Sequence, residues 1–102
     1  MASDTEQSKF WRGEFGDTYV DRNSADADTL RARVALWSRL LDPVKGAPPA
    51  SILEVGANIG INLRALRCVT GAELWAVEPN AKARSVLVDE QVVDAEHVVN
   101  AI

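Results

Sequence analysis

The chain is poor in the residues that bind metals or form covalent cross-links. Of its 102 residues one is cysteine and one is histidine. A lone Cys68 excludes an internal disulfide and, late in an expected helix, is read as a buried small hydrophobe. His97, at the start of an expected strand, is read as a surface or strand-edge residue rather than a base or a ligand, and no metal site is expected. No apolar run is long enough to span a bilayer, and residues 1–9 lack the apolar core of a signal peptide. A cytoplasmic location is the default expectation. Positive charge is in deficit, with 11 basic against 15 acidic residues and a net charge of −4. That balance argues against electrostatic capture of nucleic acid or of an anionic membrane. Internal repeats and low-complexity tracts are also absent. What remains is an ordinary globular composition, 47% apolar and 25% charged, in a length that holds one domain with a modest core.

The chain divides into an N-terminal segment, residues 1–27, and a patterned region, residues 28–102. Residues 1–9 are polar and are expected to fray. Phe10-Trp11-Arg12-Gly13-Glu14-Phe15-Gly16-Asp17-Thr18-Tyr19 carries four aromatics and two glycines with neither helical nor strand period, and reads as a short segment that docks on something. Over residues 28–41 the apolar positions Leu30, Val34, Trp37, Leu40 and Leu41 fall on one helix face, with Arg31, Arg33 and Arg39 mostly off it. Asp26 or Asp28 is placed to cap that helix, and Pro43 and Gly46 end it. Ser51-Ile52-Leu53-Glu54-Val55 is a strand candidate that enters a glycine turn. Ile61, Leu63, Leu66 and Val69 have helical spacing. Glu73-Leu74-Trp75-Ala76-Val77 is a second strand, residues 81–90 a second helix with Ala83, Val86 and Leu87 inward, and residues 97–102 a third strand. The order helix, then β-α-β-α-β, predicts an α/β fold with a parallel sheet. Trp37 and Trp75 are assigned to its core.

The chemistry is concentrated in Ile52-Leu53-Glu54-Val55-Gly56-Ala57-Asn58-Ile59-Gly60. A strand that runs through a glycine turn into a helix places backbone N–H groups at the carboxyl edge of the sheet, where open α/β sheets bind ligands. Gly56 lets a cofactor approach the backbone, Asn58 tolerates positive φ, and Gly60 lets the helix start close to the strand. The spacing is not that of a dinucleotide fingerprint, because the third glycine of G-x-G-x-x-G is replaced by Ile61. Glu54, two residues before the first glycine, opposes phosphates and suits a cofactor with an ammonium group. Glu78, at the end of the second strand, is placed to accept hydrogen bonds from ribose hydroxyls.

Acidic-x-G-x-x-x-G followed by a strand ending in Glu resembles the first two motifs of class I S-adenosylmethionine-dependent methyltransferases. The resemblance implies a Rossmann-like fold and S-adenosyl-L-methionine as cofactor. It places Glu54 and Gly56 beside the methionine part, Gly60 under the turn and Glu78 at the ribose, with Ala57 and Asn58 among the cofactor-binding residues. Asn58 stands where the family usually has glycine. A closer similarity covers most of the chain from Phe10 onward: the aromatic motif through Tyr19, Arg22 and Asn23, then Leu53-Glu54-Val55-Gly56-Ala57-Asn58-Ile59-Gly60-Ile61-Asn62-Leu63 and Val77-Glu78-Pro79-Asn80. These resemble the methylases associated with pseudaminic acid biosynthesis, which implies a small-molecule acceptor related to a sugar or sugar nucleotide.

Each residue also has a plainer reading. Glu54 is otherwise a strand-end surface carboxylate, and Glu78 a residue that caps the next helix. Asn62 either reaches the cofactor or sits in solvent. Tyr19 and Arg22 either form a lid over the cofactor, with Arg22 on its carboxylate, or belong with Phe10, Trp11 and Phe15 to an anchor on the sheet. Family members have a seven-stranded sheet whose later strands carry the acceptor site, whereas about three strands are expected here. The expectation is therefore an N-terminal half truncated after the third strand, inactive alone, able to oligomerise and without an assignable catalytic residue. The alternative is a non-catalytic half-domain that holds an adenosine-type ligand.

Overall fold

The computed structural model describes Glu6, Lys9, Arg12, Gly13 and residues 26–101. The first helix of the patterned region, α1, runs Ala27–Leu41. Asp26 caps it, its carboxylate accepting from the Thr29 amide at 2.8 Å and from the Thr29 hydroxyl at 3.1 Å. Asp28 in the first turn and Arg39 in the last complement the helix dipole. Pro43 turns the chain into a short 3₁₀ segment, Asp42–Val44. Strand β1 follows at Ser51–Val55, helix α2 at Ile61–Val69, strand β2 at Glu73–Val77 and helix α3 at Ala81–Asp89. A 3₁₀ turn, Ala95–His97, leads into a short strand β3, Val98–Val99. The fold is α/β, with a three-stranded parallel sheet in the order β1-β2-β3.

Two parallel crossovers that advance in the same direction put their helices on one face of the sheet. The register aligns Ile52 with Leu74, Glu54 with Ala76, and Ala76 with Val98. These residues share the covered face. There Leu74 and Ala76 pack with Leu63 and Leu66 of α2, Leu87 of α3, and Val92 and Val93 of the following turn. Helix α1 lays Trp37 and Leu41 against the same core. The opposite face carries Leu53, Val55 and Val99, exposed by 56%, 69% and 40%, and no element among the described residues covers it. Of all the side chains on β1, then, only Ile52 and Glu54 turn toward the helices.

Several expectations are corrected. The third strand, expected over residues 97–102, is shorter among the described residues: a hydrogen bond from His97 N to Asp94 O at 2.9 Å closes a turn there, so ladder pairing begins at Val98. Trp75 alternates with buried Leu74 and Ala76 and therefore projects from the uncovered face, half-buried. It stacks on His97 with ring centroids 4.0 Å apart and donates to Glu73 Oε1 at 2.6 Å. Leu40 is exposed, because Leu41, four residues on from Trp37, takes the inward position. Cys68 is exposed on the outer side of α2 beside Arg67. Among the described residues no helix is long and apolar enough to cross a membrane.

Candidate functional site

Residues 56–60 join β1 to α2 through three left-handed backbone positions, Gly56 at φ 76°, Asn58 at φ 53° and Gly60 at φ 81°. Asn is one of the few side chains that tolerates this region, and its side-chain oxygen accepts from the Ile59 amide at 2.8 Å. The two glycines have different jobs. A Cβ on Gly60 would lie 2.6 Å from Leu87 Cδ2 and 2.9 Å from Val92 Cγ1, so glycine is required there by packing between α2 and α3. A Cβ on Gly56 would meet nothing within 4 Å among the described residues. Gly56 is exposed, and its open side is where a ligand can lie on the backbone.

The amide donors of this loop are already engaged. Val77 O accepts from the Gly56 amide at 2.8 Å and the Ala57 amide at 3.3 Å, and Ala57 O accepts from the Gly60 amide at 2.9 Å. Glu78 Oε1 accepts from the Asn58 amide at 2.6 Å. With Ile59 on Asn58, all five amides from 56 to 60 have acceptors within the protein. A phosphate-cradling loop needs such amides free.

Glu78 is buried, 5% exposed, and its second oxygen accepts from the Asn80 amide at 2.8 Å. Its carboxylate thus pins the glycine loop to the turn after β2. Asn80, not Glu78, caps α3, accepting from the Ala83 amide at 2.9 Å. The Asn80 side-chain amide also donates to the carbonyl of Arg12 at 3.4 Å, which brings Arg12 to this turn; Phe10, Trp11 and Phe15, the expected anchor, lie outside the described residues. Tyr19 and Arg22, the expected lid residues, lie outside the described residues. Arg84 fixes the same turn through the carbonyls of Glu78 and Pro79 at 3.0 and 2.8 Å. Glu78→Ala leaves the amides of Asn58 and Asn80 without acceptors, and is expected to destabilise the chain by about 2–5 kcal/mol in urea unfolding. Loss of ligand in that variant therefore reports the loop as much as a ribose contact.

Glu54 has a different environment. It projects from β1 toward the helices and accepts from Asn62 Nδ2 at 2.7 Å through Oε2. Its Oε1 is buried and has no hydrogen-bond partner among the described residues. Burial raises its pKa above the ordinary 4.5, and the nearby Glu78 adds to this, while the Asn62 hydrogen bond and the Arg33 charge oppose it. Asn62 is not in solvent. Its carbonyl accepts from Arg33 at 2.5 Å and from the Trp37 indole at 3.2 Å. Arg33 and Trp37 were not expected at the site. The signal was there, because residues four apart share a helix face and Trp37 had been assigned inward. Among the described residues no group of three or more His, Cys, Asp or Glu side chains is arranged to hold a metal ion.

No family model, no curated protein and no solved structure matches this chain.

Proposed function

We propose that this chain is the cofactor-binding part of a cytoplasmic class I S-adenosylmethionine-dependent methyltransferase with a Rossmann-like fold, acting on a small-molecule acceptor of the sugar or sugar-nucleotide class. The observation that carries this reading is the buried, unpartnered Oε1 of Glu54. A buried carboxylate oxygen without a donor is costly, and a cationic donor from a ligand satisfies it best. An ammonium group is such a donor. The engaged amides of the glycine loop leave little for a pyrophosphate, so an ammonium-bearing nucleoside suits the site better than a dinucleotide.

In this reading Glu54 takes the amino group of the methionine moiety. The backbone of Gly56, Ala57 and Asn58 underlies the ligand, with Gly60 holding the loop against α3. Glu78 serves the ribose side, directly or by fixing the loop. Tyr19 and Arg22 are assigned to the ligand's outer side on the strength of the motif alone. The cofactor supplies an electrophilic methyl group on a sulfonium, and the residues of this chain bind and orient it, positioning being the main requirement of in-line transfer. Calorimetric titration tests the reading. S-adenosylhomocysteine is expected to bind saturably and the nicotinamide dinucleotide NAD is not. Preference for NAD would overturn it.

A further inference from the structure

Asn62 occupies a position from which it decides how Glu54 is presented. A side-chain amide has two orientations that differ in which end donates. Here the choice is fixed from outside, since two donors, the Arg33 guanidinium and the Trp37 indole, converge on its Oδ1. The Nδ2 end is thereby turned to Glu54 Oε2. Oε2 holds this bond as a result, and Oε1 is the oxygen without a partner among the described residues. Both α1 donors sit on consecutive turns of the helix, at positions 33 and 37, and both are half-buried.

We propose that Asn62, oriented by Arg33 and Trp37, is a positioning residue that aims the free oxygen of Glu54 at the ligand's ammonium group, so that α1 sets the preference for amino-acid-bearing nucleosides. The inference rests on the cofactor reading above and extends it to residues that do not touch the ligand. The Arg33 charge acts in the same sense, because it favours the ionised carboxylate that an ammonium requires.

Two ligands separate this role from a merely structural one. S-adenosylhomocysteine carries the ammonium, whereas 5′-methylthioadenosine has the same nucleoside and thioether without the amino-acid group. Both are titrated against the unmodified chain, Asn62→Leu and Trp37→Phe. Asn62→Leu is expected to weaken S-adenosylhomocysteine by about tenfold to a hundredfold, the effect of a charge-assisted hydrogen bond, and to leave 5′-methylthioadenosine unchanged. Trp37→Phe removes the indole donor and keeps an aromatic ring against the core, with some loss of packed volume. It is expected to shift the same ligand selectively by a smaller factor, and it carries the test if Asn62→Leu does not fold. Equal weakening of both ligands, or no change in either, overturns the positioning role while the cofactor reading stands. Failure of the unmodified chain to bind either ligand overturns both.

Discussion

Glu54→Gln is expected to weaken S-adenosylhomocysteine binding by about a hundredfold or more while leaving the chain at least as stable at neutral pH. The two effects have one cause. The carboxylate is held half-buried with one oxygen unpartnered, a placement that costs the folded chain and that protonation or, in the proposed function, a cationic ligand group relieves. A neutral amide is easier to bury, but it offers an ammonium no opposite charge, and loss of a desolvated charge pair is worth about 2–5 kcal/mol. The pH dependence has a definite sign. Burial raises the folded pKa of Glu54 above its ordinary 4.5. In the window between 4.5 and the folded value the native state holds more protons than the unfolded one, so stability falls as pH rises through it. Glu54→Gln removes that slope. An ammonium ligand favours the ionised form, so binding in the same window releases protons. Calorimetry in buffers of different ionisation enthalpy measures that release, and urea unfolding across pH measures the slope. A clear fall in stability with unchanged binding would show Glu54 to be a structural carboxylate.

The two glycines give the second large contrast. Gly60→Ala adds a Cβ that lies 2.6 Å from a methyl of fully buried Leu87 and 2.9 Å from Val92, at φ 81°. Left-handed strain of about 1–2 kcal/mol and overpacking of about 1–3 kcal/mol predict a loss of about 2–5 kcal/mol, read as a lowered midpoint in denaturant. Gly56→Ala bears similar strain at φ 76° but meets no neighbour within 4 Å among the described residues. It is expected to cost only about 1–2 kcal/mol and to lose ligand, because its methyl enters the space in which the ligand lies. If Gly56→Ala binds S-adenosylhomocysteine as tightly as the unmodified chain, the open side of the loop is not the ligand site.

The elements with strong periodicity were legible before any coordinates. The two five-residue strands and helix α2 lie where their apolar spacing and the intervening glycine turn put them, and α1 and α3 differ from expectation by one residue at one end. Asn58 takes the positive φ its side chain allows. Local pattern does not determine which face of a strand is covered, and Trp75 shows the consequence: it looked like core and lies on the uncovered face. Cys68 reads as buried from its small apolar side chain, but its place on the outer side of α2 exposes it. Within the site, Glu54 and the glycines were visible from spacing alone. The hydrogen bonds of Arg33 and Trp37 to Asn62 cross 29 and 25 residues of sequence, and the Glu78 bond to the Asn58 amide crosses 20. No window-based reading sees such contacts, because they exist only once α1 packs on α2 and β2 pairs with β1. That is why the bonds of Glu78 to the Asn58 and Asn80 amides are visible only in the fold, while its place at the end of β2 is visible in the sequence.

The proposed function puts an ammonium-bearing nucleoside at the carboxyl end of β1. Amide chemical shifts of the nitrogen-15-labelled chain during titration with S-adenosylhomocysteine test it most directly. Saturable shifts are expected at Glu54, Gly56, Ala57, Asn58 and Glu78, with the side-chain amide of Asn62 moving with them. Saturable shifts confined to another part of the sheet, or a spectrum of the folded chain that the ligand leaves unchanged, would contradict it.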